Sequence, residues 1–415
     1  MLLVLFEDRV NFFNPLSITR PIFDLNFGSK SLIEGWRRNL SSAGTCAIIR
    51  DYLVDSTKRR HRDLEVNPSK IDTTALFVNS LLVPTSNLLK SFLEKSQDFF
   101  LLDKGRLVAA RLGASLAQKL IEEDLNIGIL KRSKTLNKKE AADSLISFPW
   151  ELLSQSKLAI VHTANSQEMR QTKIRSRGNG VIYSHSDIEI ESNVVFDTSE
   201  GDIVLGKGAS IQAGSRIAGP TSIGEGSSIL GARIGPGTSI GDDCKIGGEV
   251  EESIFMSNSN KPHTGFIGHA YVGQWVNLGA LTTNSDLKGT YGTVRVRLAG
   301  KRYDTGLTKF GTMIGDGVKS AIGTLIYTGK SIGPFSQLHG YVTDDVPPFT
   351  IYAKSLGAPS TEVQKLSVIR TMERMMKRRE KKISDVEVKL ITKIFDLTSP
   401  ERKQAGVKVG RLQIP

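Results

Sequence analysis

The stretch LGKGASIQAGSRIAGPTSIGEGSSILGARIGPGTSIGDDCKI, residues 205–246, returns an aliphatic side chain at every sixth position, usually followed by glycine. Leu205, Ile211, Ile217, Ile223 and Ile229 keep this phase, and after a one-residue slip Ile234, Ile240 and Ile246 resume it. The period returns at Val272 and Leu278, and again between Ile314 and Leu338. A helix repeats every 3.6 residues and a pleated strand every two, so neither accounts for six. A coil of three short parallel strands does. Each strand sends one aliphatic side chain into a shared core, and glycine lets the chain turn the corner. An Ile- and Gly-rich sandwich would alternate in twos and would not hold this phase so long. The expected fold here is a left-handed parallel β-helix over residues 181–352, a scaffold used by acyltransferases that work at trimer interfaces.

The regions on either side of the coil read differently. Residues 1–165 alternate strand and helix patterns, with short buried-strand candidates at 1–6, 46–49, 75–78 and 158–161. Ser29 is placed to cap a helix on which Leu32, Trp36 and Leu40 recur at four-residue spacing. The sum is a Rossmann-like α/β domain with a largely parallel sheet. Residues 166–180 have no apolar period and read as a linker. Two interruptions of the coil are expected, at 253–270 and 282–311, and such excursions are where a regular scaffold places function. Residues 353–415 turn helical. Thr361 with Gln364, and Ser384 with Glu387, form capping boxes ahead of two apolar stripes: Leu366, Ile369, Met372 and Met376, then Val388, Ile391 and Phe395. These helices are expected to cover the end of the coil.

Composition narrows the class. A chain of 415 residues exceeds one ordinary core, and 39% hydrophobic with 24% charged residues describes a globular protein. The apolar residues 1–6 meet Glu7, Asp8 and Arg9 at once, which reads as a buried strand and not as a signal peptide or a membrane span. Cys46 and Cys244 are far apart, implying no disulfide and a reducing, cytoplasmic setting. The net charge of +12 raises the question of nucleic acid. The densest basic run, residues 376–382, is interleaved with acidic side chains on a helix, so it reads as a solvated face, with no nucleic-acid partner expected. The positive balance suits phosphorylated, anionic substrates.

Residues 247–291, GGEVEESIFMSNSNKPHTGFIGHAYVGQWVNLGALTTNSDLKGTY, depart from the repeat and gather Glu249, Lys261, His263, His269, Asn277 and Asn284. A neutral imidazole at His263 accepts a proton near neutral pH, and a carboxylate at Glu249 would fix its tautomer. Histidines are more often structural than catalytic, so residue type alone leaves both roles open.

Residues 259–287, SNKPHTGFIGHAYVGQWVNLGALTTNSDL, resemble the acetyltransferase site of the bifunctional N-acetylglucosamine-1-phosphate uridylyltransferase/glucosamine-1-phosphate N-acetyltransferase family. LFED at 5–8 and LSITRPIFDLNFG at 16–28 resemble the opening of a divergent branch of that family. The resemblance implies His263 as catalytic base with Glu249 as its partner. It further implies Arg233 on the sugar phosphate, Asn277 on the substrate, and Ala280 meeting acetyl-CoA, with Asn284 a further substrate candidate. Two departures stand out: Glu251 replaces a substrate-binding lysine and Phe266 a tyrosine. Lys261 is therefore the candidate for phosphate contact.

The resemblance implies UDP-N-acetylglucosamine synthesis by a cytoplasmic homotrimer. Acetyl-CoA would acetylate glucosamine-1-phosphate, and UTP would then be joined to N-acetylglucosamine-1-phosphate with Mg2+. The first domain lacks the Gly-rich loop that normally wraps a triphosphate, so Arg9 and Arg20 are the candidate phosphate contacts. Asn79 in FVNSLLVP, residues 77–84, stands where the common branch keeps a metal-binding aspartate. An amide is a poorer magnesium ligand, which leaves Asp8 and Asp103 as replacements. The alternatives are a sugar-1-phosphate nucleotidyltransferase of other specificity with a regulatory or oligomerising coil, and a non-catalytic oligomeric scaffold.

Overall fold

The computed structural model describes residues 1–39, 44–84, 97–141, 144–163, 169–172, 174–185 and 187–411. They form two compact units, one of residues 1–10, 20–25 and 31–148, the other of 11–19, 26–30 and 149–415.

In the first unit Leu2–Phe6 is the parallel partner of both Gly44–Ile48 and Ala75–Asn79, and Glu65–Val66 extends the parallel side. Arg106–Leu112 alone runs against the rest, antiparallel to both Ala75–Asn79 and Phe99–Asp103, and Asn137–Glu140 pairs parallel with Phe99–Asp103, so the sheet is largely parallel, as expected, with one reversed strand. Val4, Phe6, Cys46, Phe77, Phe100 and Ala110 fill its core. The helix Leu32–Asn39 is capped by Ser31, whose hydroxyl and Glu34 exchange bonds with each other's ends of the first turn, and not by Ser29. Its buried face carries Leu32, Ile33 and Trp36; Leu40 lies outside the described residues.

The second unit is the expected parallel coil. Leu205, Ile223, Ile240, Phe255, Val272, Ile314 and Ile332 stack in register as one interior column. Ile211, Ile229 and Ile246 form a second, and Phe196, Ile217, Ile234, Val250 and Ile267 a third. Each fully buried aliphatic contributes roughly 1.5–3 kcal/mol, so the columns hold the coil together. Successive turns approach so closely at Gly224 that an added Cβ would overlap the Gly241 carbonyl. The repeat's glycine is a packing requirement as much as a corner.

Residues 253–270 are not an interruption. Ile254–Phe255, Asn260–Lys261 and Phe266–Gly268 pair in register as one more turn of the coil. The stretch looked irregular because a lysine occupies an interior position: Lys261 stacks on Ile246 in the second column. The later excursion is present. The chain leaves after Thr283–Asn284, forms a hairpin of Arg295–Leu298 with Lys301–Asp304, and returns at Thr312–Ile314.

Residues 158–161, expected as a strand, belong to the helix Pro149–Thr163. Trp150, Leu152, Ser156 and Ile160 are buried on one side while Leu158 is exposed, the spacing of an amphipathic helix. The helix lies on the coil, with Lys157 Nζ 2.6 Å from Glu252 Oε1. In the stretch expected as a linker, Arg170–Gln171 pairs antiparallel with Ile182–Ser184 and so extends the coil's sheet.

The C-terminal helices do two jobs. Lys365–Lys377 runs along the flank of the coil, with Val368, Met372 and Met376 buried and Leu366 facing out. It starts at Gln364 without a side-chain cap, because Thr361–Glu362 is instead a strand paired antiparallel with Thr350–Tyr352. Asp385–Leu397 does open with the Ser384–Glu387 capping box. Phe395 of this helix packs edge-on against Phe349 beside the last turn of the coil, at 5.1 Å between ring centroids.

Candidate active site

His263 sits exposed on the turn between Asn260–Lys261 and Phe266–Gly268. The register places Asn260, Asn277 and Lys319 in one outward column, and a cavity of about 470 Å³ beside it is lined by His263, Asn277 and residues of the flanking helix. A second column runs Arg216, Arg233, Glu249 and Phe266. A second cavity, about 190 Å³, opens there over Arg233, Glu249 and Glu251. His263 and Asn277 are thus brought together, as are Arg233 and Glu249. The two pairs belong to different cavities. Among the described residues no hydrogen bond joins Glu249 to His263; Glu249 Oε1 lies 3.5 Å from Arg233 Nη1.

Lys261 is 1% exposed. Its ammonium donates to the carbonyls of Gly247 at 2.8 Å and His263 at 3.0 Å, and burial pushes its pKa down to about 8. An ammonium spent on main-chain oxygens inside the coil does not meet a substrate phosphate, which corrects the expectation for this residue. The same holds for Asn284, buried in the third face, whose amide donates to Gly268 O at 2.9 Å and whose Oδ1 accepts from Gly268 N at 2.9 Å. The six-residue phase running Phe255, Lys261, Ile267 already marks Lys261 as inward. Ala280 is half-buried, its carbonyl accepting from Gly323 N at 2.8 Å.

Sequence reasoning gave His269 no role. Its Nδ1 lies 2.8 Å from Asp286 Oδ2 and its Nε2 3.4 Å from Glu252 Oε2. Burial alone would lower its pKa, but the bonds to Asp286 and Glu252 outweigh that and raise it to about 9. The cationic ring ties the start of the excursion to the coil.

In the first unit the carboxyl ends of the parallel strands present Glu7, Asp8, Arg50 and Asn79, the position where open α/β sheets bind ligands. Arg20 is buried at 2% exposure, and its carbonyl accepts from Arg50 Nη2. Glu7 holds Arg50 through both carboxylate oxygens, at 3.0 and 2.8 Å, and accepts from Ile22 N. Arg20 therefore helps build the segment that follows the first strand, and its side chain is not offered to solvent. The Arg9 guanidinium lies 5.9 Å from the Phe148 ring centroid. Asp8 Oδ2 accepts from Arg106 Nε at 2.8 Å and from Asn79 Nδ2 at 3.1 Å, while Asp103 Oδ2 accepts from the N–H groups of Ser144 and Leu145. A guanidinium this close to Asp8 opposes a divalent cation, and no cluster of three potential ligands exists among the described residues. The expected magnesium set of Asp8 and Asp103 does not fit. Among the described residues no helix is long and apolar enough to cross a membrane.

Comparison with known proteins matches residues 3–170 to the sugar nucleotidyl transferase family. A bifunctional sugar-1-phosphate nucleotidylyltransferase/acetyltransferase of Sulfurisphaera tokodaii is 28% identical over 47% of this chain and 44% of its own length. The bifunctional protein GlmU of an Azoarcus species is 31% identical over 41% of this chain and 38% of its own. The GlmU of Heliobacterium modesticaldum is 22% identical over 72% of this chain and 61% of its own. The chain thus spans less than half the length of the first two and under two thirds of the third. It is similar over residues 3–170 to the sugar nucleotidyl transferases, and over part of its length to bifunctional sugar-1-phosphate nucleotidylyltransferase/acetyltransferases.

Proposed function

We propose that the coil transfers acetyl from acetyl-CoA to the amine of glucosamine-1-phosphate, and that the first unit couples N-acetylglucosamine-1-phosphate to UTP with release of pyrophosphate. The observation that carries the first half is His263, exposed on a turn at the edge of the larger cavity, which Asn277 also lines. The amine attacks the thioester carbonyl, a C–N bond forms and the C–S bond breaks. His263 takes the amine proton and returns it to the leaving thiolate. Arg233, whose side chain is 72% exposed over the smaller cavity, is the group for the sugar phosphate. Glu249 lies beside it, its Oε1 3.5 Å from the guanidinium. The second half is supported by the matched family and by the polar groups at the carboxyl ends of the parallel strands; in this reading magnesium arrives with the nucleotide as its salt.

Thiol release from acetyl-CoA in the presence of glucosamine-1-phosphate tests the first half. His263→Ala is expected to lower the rate on the order of 100-fold or more while the fold persists, since the side chain lies outside the interior columns. An unaltered rate in that variant sinks the mechanism. Pyrophosphate release from UTP and N-acetylglucosamine-1-phosphate tests the second half, and none from the intact protein would retire it.

A further inference from the structure

An arginine side chain is a hydrogen-bond donor only, and in the larger cavity that fact fixes the orientation of two amides. Arg379, half-buried just past the end of the helix Lys365–Lys377, donates from Nη2 to the Asn260 side chain at 2.6 Å, so the atom it meets must be Oδ1. Donation to Asp243 O, and a guanidinium 5.9 Å from the Trp275 ring centroid, hold Arg379 in place. With its oxygen so taken, Asn260 has only Nδ2 left to face Asn277, its neighbour on the next turn of the outward column, and it donates to Asn277 Oδ1 at 3.4 Å. The Asn277 Nδ2 is then left over. It makes no hydrogen bond among the described residues, and Asn277 lines the same cavity as His263. The reverse order is closed, because it would set an amide N–H group against the guanidinium.

We infer that Arg379 is a positioning residue for acetyl transfer: acting through Asn260, it turns the Asn277 amide so that its N–H group, and not its oxygen, meets the substrate oxygen that gains negative charge as the thioester is attacked. The inference rests on the acetyl-transfer reading and adds to it a control from outside the coil. The end of the flanking helix sets an amide that the coil by itself would leave able to flip. A donor aimed in advance at growing charge favours the transition state over the bound ground state, so its loss is read in kcat more than in KM. The inference also gives a use to one member of the basic run at residues 376–382, which the sequence alone presents as a solvated helix face.

Asn260→Asp in the full chain is the deciding variant. It keeps the size of the side chain and strengthens the bond to Arg379 as an ion pair, so the helix stays docked, yet a carboxylate has no N–H for Asn277 Oδ1. The Asn277 amide is expected to flip and turn its oxygen to the cavity, lowering kcat for acetyl transfer roughly tenfold or more, with KM nearly constant and thermal unfolding no lower than in the intact protein. Arg379→Lys, which keeps a donor-only head, is expected to retain more kcat than Arg379→Met. Unaltered kcat in Asn260→Asp overturns the inference and leaves Arg379 as a docking residue. Additive losses on combining Asn260→Asp with Asn277→Ala overturn it too, because two members of one relay cannot lose the same donor twice. The relay is also read without turnover. In protein carrying isotope-labelled asparagine, the Asn277 side-chain amide resonance, assigned by its disappearance in Asn277→Ala, should shift in both Asn260→Asp and Arg379→Met; a resonance that stays in place overturns the relay. A resonance that shifts in a protein that releases no thiol from acetyl-CoA retires the acetyl-transfer reading and keeps the relay.

Discussion

At the scale of single residues the most informative side chain is one that faces inward. Lys261 takes the place of an aliphatic in the second column and spends its ammonium on the carbonyls of Gly247 and His263, spanning two turns of the coil. Two effects oppose each other in Lys261→Met. Methionine fills similar space and removes a buried charge whose depressed pKa records the cost of burying it, but two carbonyls lose their donor. These terms are of similar size, so stability should change by less than about 2 kcal/mol. The turn bearing His263 loses its tether, and kcat for acetyl transfer is expected to fall roughly tenfold with KM nearly constant. Thermal unfolding and steady-state kinetics check the two halves separately; unchanged kcat would show that the tether does not position the base.

At the scale of elements the excursion at residues 285–311 is held by a charged knot: His269 between Asp286 and Glu252, with Lys157 of the helix Pro149–Thr163 also on Glu252. The His269 pKa is raised from 6.5 to about 9, so its contribution to stability is complete below 6.5 and is lost as pH climbs through about 9. The Glu252 pKa is lowered from 4.5 to about 2, first by its bond to His269, so its contribution is complete above 4.5 and is lost as pH falls through about 2. The knot is therefore tightest between about pH 4.5 and 6.5. Hydrogen exchange of the Arg295–Leu298 hairpin strand should be slowest there and should accelerate toward pH 9, beyond the intrinsic base-catalysed rise. His269→Ala should flatten that dependence and cost about 1–3 kcal/mol. A pH profile identical in the variant would remove the knot from the explanation.

At the scale of the whole molecule, the third face of the coil exposes Leu281, Ile322, Leu325, Tyr327 and Tyr341, and Leu325 pairs in register with Tyr341. Exposed apolar side chains gathered on one face mark an association surface, and a three-sided coil suits threefold packing. A homotrimer is expected, with Ile322→Asp shifting it toward monomer in light scattering; a fully active monomeric intact protein would contradict this. The sequence by itself determined the coil, because a period of six is imposed by the interior columns and leaves its mark at each turn. It also marked the first strands and the Ser384–Glu387 cap, where the physics is local. It named His263 by resemblance but misread its neighbourhood. Whether Lys261 points in or out, whether residues 158–161 are strand or helix, and where the C-terminal helices lie depend on which surface lies opposite, and only tertiary structure supplies that. An apolar run such as Leu158, Ala159 and Ile160 suits a buried strand or one face of a helix equally well, and the coil surface beneath it decided for the helix. The basic residues at 376–382 are in the same position: their spacing describes a solvated face, and only the packing of that helix beside Asn277 and His263 turns part of it into the wall of a cavity.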